Sequence, residues 1–210
     1  MELYYWSLST PSLATLMVAE AAGVSYNKSL VNLRNVEQKG EEYLKINPMG
    51  KVPAMVDGDV VLTESIAIQR YIARKSKSDL YPSTVKEQAV VDRWTDLIAH
   101  EVRTPILDIE VYRWVRQMSG AEVNEGVVEV CYFRLDRALP VLEAHLEKNA
   151  FLNGSHMTIA DISLVASLDP VDVVGIDMSK YPKLRSILDT GRKSAWYQAV
   201  NSHFGAEFGL

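Results

Sequence analysis

The sequence predicts a small α/β domain of order β-α-β-α-β-β-α followed by an all-helical domain. Three observations carry that reading. Short runs of aromatic and β-branched residues alternate with helical patterns up to about residue 77. An Asp57-Gly58-Asp59 turn separates two such runs, which is a strong hairpin signal. Beyond a segment containing Tyr81-Pro82-Ser83, the apolar residues recur only at helical spacing. The expected division is residues 1–77, a linker at 78–84, and a helical domain over 85–210.

Glu2 to Leu8 is rich in tyrosine and tryptophan and ends at Ser9-Thr10-Pro11-Ser12, so it reads as strand and turn. Leu13, Leu16, Met17 and Ala21 then recur as on one helix face and stop at Gly23, predicting an amphipathic helix with proline in its first turn. A second strand is expected over Ser29 to Leu33. A polar stretch and a short helical segment follow, ending before the turn at Asn47-Pro48-Met49-Gly50. Val52 to Met55 and Val60 to Thr63 form the hairpin, and Ser65 to Ala73 a helix. In the second domain, Lys86 to Met118 reads as one long helix, bent near Thr104-Pro105 because proline removes a helical hydrogen bond. Val127 to Lys148, Ile159 to Leu168 and Tyr181 to Val200 supply three more.

A chain of 210 residues, 48% of them hydrophobic, buries a full core. The net charge of -5 and the lack of a basic stripe argue against nucleic acid as partner. Cys131, the single cysteine, forms no internal disulfide, and His100, His145, His156 and His203 are too scattered for zinc spacing, so no metal is expected. Met1 to Tyr5 lack a signal-peptide pattern, and no run of eighteen apolar residues occurs. The expectation is a cytoplasmic protein that does not enter membranes.

Three local patterns sharpen this. Gly50-Lys51-Val52-Pro53-Ala54 puts a proline at a strand start, Thr63-Glu64-Ser65 sits where the hairpin passes into a helix, and Thr158-Ile159-Ala160-Asp161 opens a helix of the second domain. Together they resemble the soluble glutathione transferase family over nearly the whole chain. The resemblance implies a thioredoxin-like first domain, glutathione as co-substrate and a homodimer. It further implies that Val52 pairs its backbone with the cysteinyl part of glutathione, with Pro53 cis. The alternative for Pro53 is an ordinary proline on an edge strand. Glu64 and Ser65 would meet the γ-glutamyl group at a helix N-terminus, where free N–H groups and the helix dipole favour an anion; the same residues also suit plain helix capping. Lys51 and Gln38 are the implied partners of the glycyl carboxylate, and Lys39 reads as a solvated charge.

At the first strand-helix junction, Ser-x-Pro-Ser resembles serine-type members, theta-like or of a related bacterial class, and assigns Ser9 as the hydroxyl beside the glutathione sulfur. Its role is to donate a hydrogen bond that stabilises the thiolate and lowers the thiol pKa from a free value of about 8.5. Thr10 and Ser12 are competing donors. Leu13 departs from the family, whose serine-type members often carry arginine there. No cysteine stands at the junction, which argues against thiol exchange, and Cys131 reads as a packing residue.

Thr158 and Asp161 resemble the family's capping box. The second substrate, a largely apolar electrophile, is expected in a cleft lined by the long helix and closed by the C-terminal tail, with Trp94, His100, Tyr112 and Trp114 as candidates. Conjugation is the leading activity. Glutathione-dependent isomerisation, peroxide reduction or ether cleavage, and a non-catalytic scaffold, are the rivals.

Overall fold

The computed structural model describes the backbone of residues 1–115, 119–120 and 122–200, and the side chains of all of these except 114 and 115. β1 (Glu2–Tyr5) runs parallel to β2 (Asn27–Leu30), with α1 (Thr10–Ala21) between them in the chain. A 3-10 turn (Glu37–Lys39) and α2 (Glu41–Ile46) lead to the antiparallel hairpin of β3 (Ala54–Asp57) and β4 (Val60–Thr63), and α3 (Ser65–Lys75) follows. The sheet order is β2-β1-β3-β4. Gly58 opens the hairpin's two-residue turn at φ +64°, a conformation open to glycine without steric penalty.

β2 and β3 are displaced from the positions expected for them. β2 lies at Asn27–Leu30 and not Ser29–Leu33, because β1 is four residues long and its register pairs Glu2 with Asn27 and Tyr5 with Leu30. β3 begins at Ala54 and not Val52, because its pairing with β1 ends at Tyr4 opposite Ala54. The apolar run of each strand thus overshoots its partner. α1 also departs from expectation. Nine of its twelve residues are buried, so it is covered nearly all round and not amphipathic.

The helical part begins with α4 (Val85–Leu97), a π-helical turn (Ile98–Arg103), α5 (Thr104–Glu110) and a second π turn (Val111–Val115). No kink interrupts the backbone at Pro105; Arg103 and Thr104 keep helical dihedrals. In a π turn the N–H of residue i bonds the carbonyl of i−5, as Thr104 does to Ala99. Pro105 has no N–H for His100, and the guanidinium of Arg134 donates to that carbonyl instead at 2.6 Å. The expected bend is therefore replaced by a wide turn with its orphan carbonyl satisfied. The expected end of this helix at Met118 lies outside the described residues.

α6 (Glu125–Leu146), α7 (Ile159–Leu168), α8 (Val171–Val174), α9 (Pro182–Arg192) and α10 (Ala195–Val200) complete the described chain. The single last helix expected over Tyr181 to Val200 is two. Ser194 ends the first by bonding Gly191 O and starts the second by accepting from Tyr197 N–H. α8 had no signal of its own in the sequence.

One core runs through both parts, with Leu3, Met17 and Ile68 from the α/β layer and Trp94, Leu135 and Ile162 from the helices. α1 packs against α3 on one side and α7 and α10 on the other. Ser163 Oγ of α7 donates to Gln69 Oε1 of α3 at 2.7 Å, both fully buried, which fixes the two layers against each other. A smaller cluster of Val31, Tyr43 and Ala54 lies apart from the main core and supports the segment from Lys51 to Pro53. Among the described residues, no helix is long and apolar enough to cross a membrane.

Candidate active site

A cavity of about 830 Å³ lies between the α/β layer and α5 with the π turns that flank it. Its α/β wall contains Ser9, Gln38, Lys51, Val52, Pro53 and Glu64-Ser65, residues that come from four separate stretches of the chain.

The segment before β3 is held from below. Lys51 O accepts from Tyr43 Oη at 2.7 Å and from Asn47 Nδ2 at 2.6 Å, and the Val52-Pro53 peptide is cis. Burial pushes the Tyr43 hydroxyl up to about 12, so it remains a donor throughout the physiological range. Gly50 sits at φ +59°, where a Cβ would stand 2.8 Å from Gln38 O and 2.9 Å from Lys39 Nζ. Only glycine lets the loop bearing Gln38 fold this closely onto the segment. Val52 itself precedes the first residue of β3 and lines the cavity, outside the pairing with β1.

Ser65 begins α3 and is 5% exposed, while Glu64 precedes it at φ +68°, a region that L side chains rarely adopt. Glu64 makes no side-chain capping hydrogen bond. The positive end of an eleven-residue helix, with its first N–H groups, thus opens on the cavity.

Ser9 is the N-cap of α1 in extended conformation, and its Oγ accepts from Ser12 N–H at 3.4 Å. As an acceptor in that bond, the hydroxyl keeps its own hydrogen to donate elsewhere. Ser12 is fully buried with its Oγ accepting from Trp6 N–H, and Thr10 is 3% exposed. Of the three hydroxyls, Ser9 alone lines the cavity. Leu13 points into the core.

The facing wall is a helical stripe of Arg103, Leu107, Glu110 and Val111. Glu110 is 5% exposed, and its Oε2 is buried without a hydrogen-bond partner. Burial alone pushes this carboxyl up to about 8. Burial pulls the Arg103 guanidinium down to about 10, opposed by the charge of Glu64 across the cavity, and it stays cationic at neutral pH.

Residues 1–74 match the family model for the glutathione S-transferase N-terminal domain, and residues 96–192 match that for its C-terminal domain. Glutathione S-transferase F10 of Arabidopsis thaliana is 32% identical over 201 residues, 94% of this chain and 91% of that protein. The chain belongs to the glutathione S-transferase family. Glutathione S-transferase 4 of Zea mays is 35% identical over 78% of this chain and 74% of its own. Among solved structures, glutathione S-transferase-I bound with lactoylglutathione superposes with a TM-score of 0.84 at 29% identity, covering 95% of this chain and 97% of the other. A delta-class transferase of Nilaparvata lugens gives 0.82 at 29%, over 99% and 98%. The curated relatives are plant F-type, phi-class transferases, so the narrower theta-like class expected from Ser-x-Pro-Ser does not follow from them.

The residues expected to line a second-substrate cleft do not line this cavity. Trp94 is 1% exposed, with the Arg93 guanidinium 4.1 Å over its ring and the His145 ring at 4.6 Å, and it belongs to the core. His100 is exposed, Tyr112 is half-buried against the core, and neither lines the cavity. The side chain of Trp114 and the tail from residue 201 lie outside those described. Lys39 packs against Gly50 and is not a lining residue. The physical reason is phase. His100 precedes Leu107 by seven residues, which in a plain α-helix places both on one face, but the π turn between them rotates the earlier residues away. Arg103, Leu107, Glu110 and Val111 have i, i+4, i+7, i+8 spacing, a signal present in the sequence yet masked by its mixed polarity. Cys131 is 3% exposed and burial pushes its thiol up, consistent with a packing residue.

Proposed function

We propose that the cavity binds glutathione as its thiolate and transfers it to an electrophilic, largely apolar small molecule. The observation that carries this reading is convergence: Ser9, Val52 and Glu64-Ser65 meet on one cavity, beside an α3 N-terminus without a side-chain cap. The γ-glutamyl carboxylate takes the N–H groups and hydroxyl of Ser65, and Glu64 meets the ligand's amino group. Val52 pairs with the cysteinyl backbone as a further strand would. Lys51 and Gln38, whose Oε1 is buried and unpartnered, approach the glycyl end. Glutathione in this pose has its thiol toward the α1 N-terminus, where the Ser9 hydroxyl donates to sulfur and the helix dipole adds positive potential. The thiolate is the nucleophile; Ser9 holds its charge. This serine-type assignment and a homodimeric assembly are parts of the same proposal.

The test is glutathione binding and turnover of a chloronitrobenzene, with the bound thiol titrated by its thiolate absorbance. In Ser9→Ala the thiol pKa rises and kcat falls, while glutathione still binds; an unchanged pKa removes Ser9 from its role. Ser65→Ala weakens binding about tenfold, the loss of one charge-assisted hydrogen bond, and equal binding refutes the cradle. Sedimentation of the native chain settles the dimer.

A further inference from the structure

The helix wall facing the glutathione half of the cavity carries chemistry that glutathione binding leaves unused. Arg103, Leu107, Glu110 and Val111 present one stripe to the cavity, apolar at Leu107 and Val111 and continued across by Leu8 and Leu33. Within it Glu110 is nineteen-twentieths buried, has an unpartnered Oε2, and has no charged partner acting on it among the described residues. Burial without a cation keeps a carboxyl protonated at neutral pH, and a protonated carboxyl donates. Arg103, seven residues earlier on the same stripe, also has a buried guanidinium nitrogen, Nη1, without a partner. A buried donor such as Glu110 in an otherwise apolar stretch of wall suits a ligand with a hydrocarbon body and one oxygen acceptor.

We propose that Glu110 is a further catalytic residue, selecting electrophiles whose reaction places negative charge on oxygen, with α,β-unsaturated aldehydes and ketones as the substrate class. This rests on the glutathione-transfer reading above. The thiolate sulfur bonds to the β-carbon, and the electron pair of the carbon-carbon double bond shifts to place negative charge on the carbonyl oxygen. Glu110 gives its proton to that oxygen, forming the enol and leaving the Glu110 carboxylate. Tautomerisation then delivers to the α-carbon, through water, the proton that the thiol released on ionising, and returns the enol proton to Glu110. The sum is addition of the thiol across the double bond, with no change of oxidation state. Halide displacement, by contrast, expels a stable anion and needs no acid.

The experiment measures kcat/KM of the native chain, Glu110→Gln and Glu110→Leu for trans-2-nonenal and for 1-iodohexane at saturating glutathione. The expected result is that the enal-to-iodide ratio falls about 100-fold in Glu110→Leu, the size of a lost general acid. In Glu110→Gln, of the same shape but without an acidic proton, the ratio falls at least about tenfold, through kcat more than KM. A ratio unchanged in both variants overturns the proposal, as does a native chain that turns over the iodide and not the enal. A native chain that binds glutathione and turns over neither overturns the transfer reading, and this proposal with it.

Discussion

Glu110 carries a folding cost that grows with pH. Its carboxyl is pushed up to about 8 by burial, from an ordinary value of 4.5. Below about pH 4.5 both folded and unfolded chains hold this proton, and the group contributes nothing to the pH dependence. Between 4.5 and 8 the unfolded chain releases it while the folded chain keeps it, so stability falls as pH rises, and above 8 the loss is complete. Glu110→Gln has no proton to lose. Its Tm is expected to match the native value near pH 4.5 and to exceed it by roughly 10–20 °C at pH 8.5, about 5 kcal/mol at about 1.4 kcal/mol per pKa unit. A constant difference across that range, read by thermal unfolding, shows that Glu110 ionises normally. Such a cost at a site, uncompensated by any partner, is what a functional group in an apolar wall looks like.

At the scale of single elements, α7 shows how a local signal becomes structure. Asp161, 8% exposed, accepts from Thr158 N–H at 2.8 Å, Thr158 Oγ1 at 3.0 Å and Leu152 N–H at 2.9 Å. Thr158 Oγ1 in turn accepts from Ala160 N–H. Asp161→Ala leaves these buried donors unpaired and is expected to cost about 3 kcal/mol or more, against about 1 kcal/mol for Thr158→Ala. Urea unfolding measures both; equal losses show that the cap, and not the Leu152 bond, carries the energy. The box and the exact span of α7 were legible because both partners lie within one turn. The extent of β2 was not, because its pairing partner is twenty-five residues away, nor was the cavity-facing stripe of α5, because a π turn upstream resets its phase.

The molecule as a whole is organised about α1, whose N-cap residue, Ser9, borders the site and whose body is enclosed by α3, α7 and α10. A helix buried nearly all round depends on every layer packed against it. A fragment of residues 1–76 strips α7 and α10 from it and exposes Gln69, whose partner is Ser163. Such a fragment is expected to lack native helix content by far-UV circular dichroism, and the full chain to unfold in one transition by both circular dichroism and tryptophan fluorescence. A native-like fragment, or two separated transitions, refutes a shared core.

The sequence alone determined the order of elements in the α/β part, the Asp57-Gly58 hairpin, the Thr158-Asp161 cap and the motifs that resemble the family's, because each is written in residues a few positions apart. Turn chemistry and capping act over that range. The tertiary structure decided which hydroxyl of Ser9, Thr10 and Ser12 reaches the cavity, which face of the long helix looks into it, and that Glu110 sits there out of water. Those outcomes depend on burial and on the phase of the helix at its contact with the α/β layer, and both are set by residues distant in the chain.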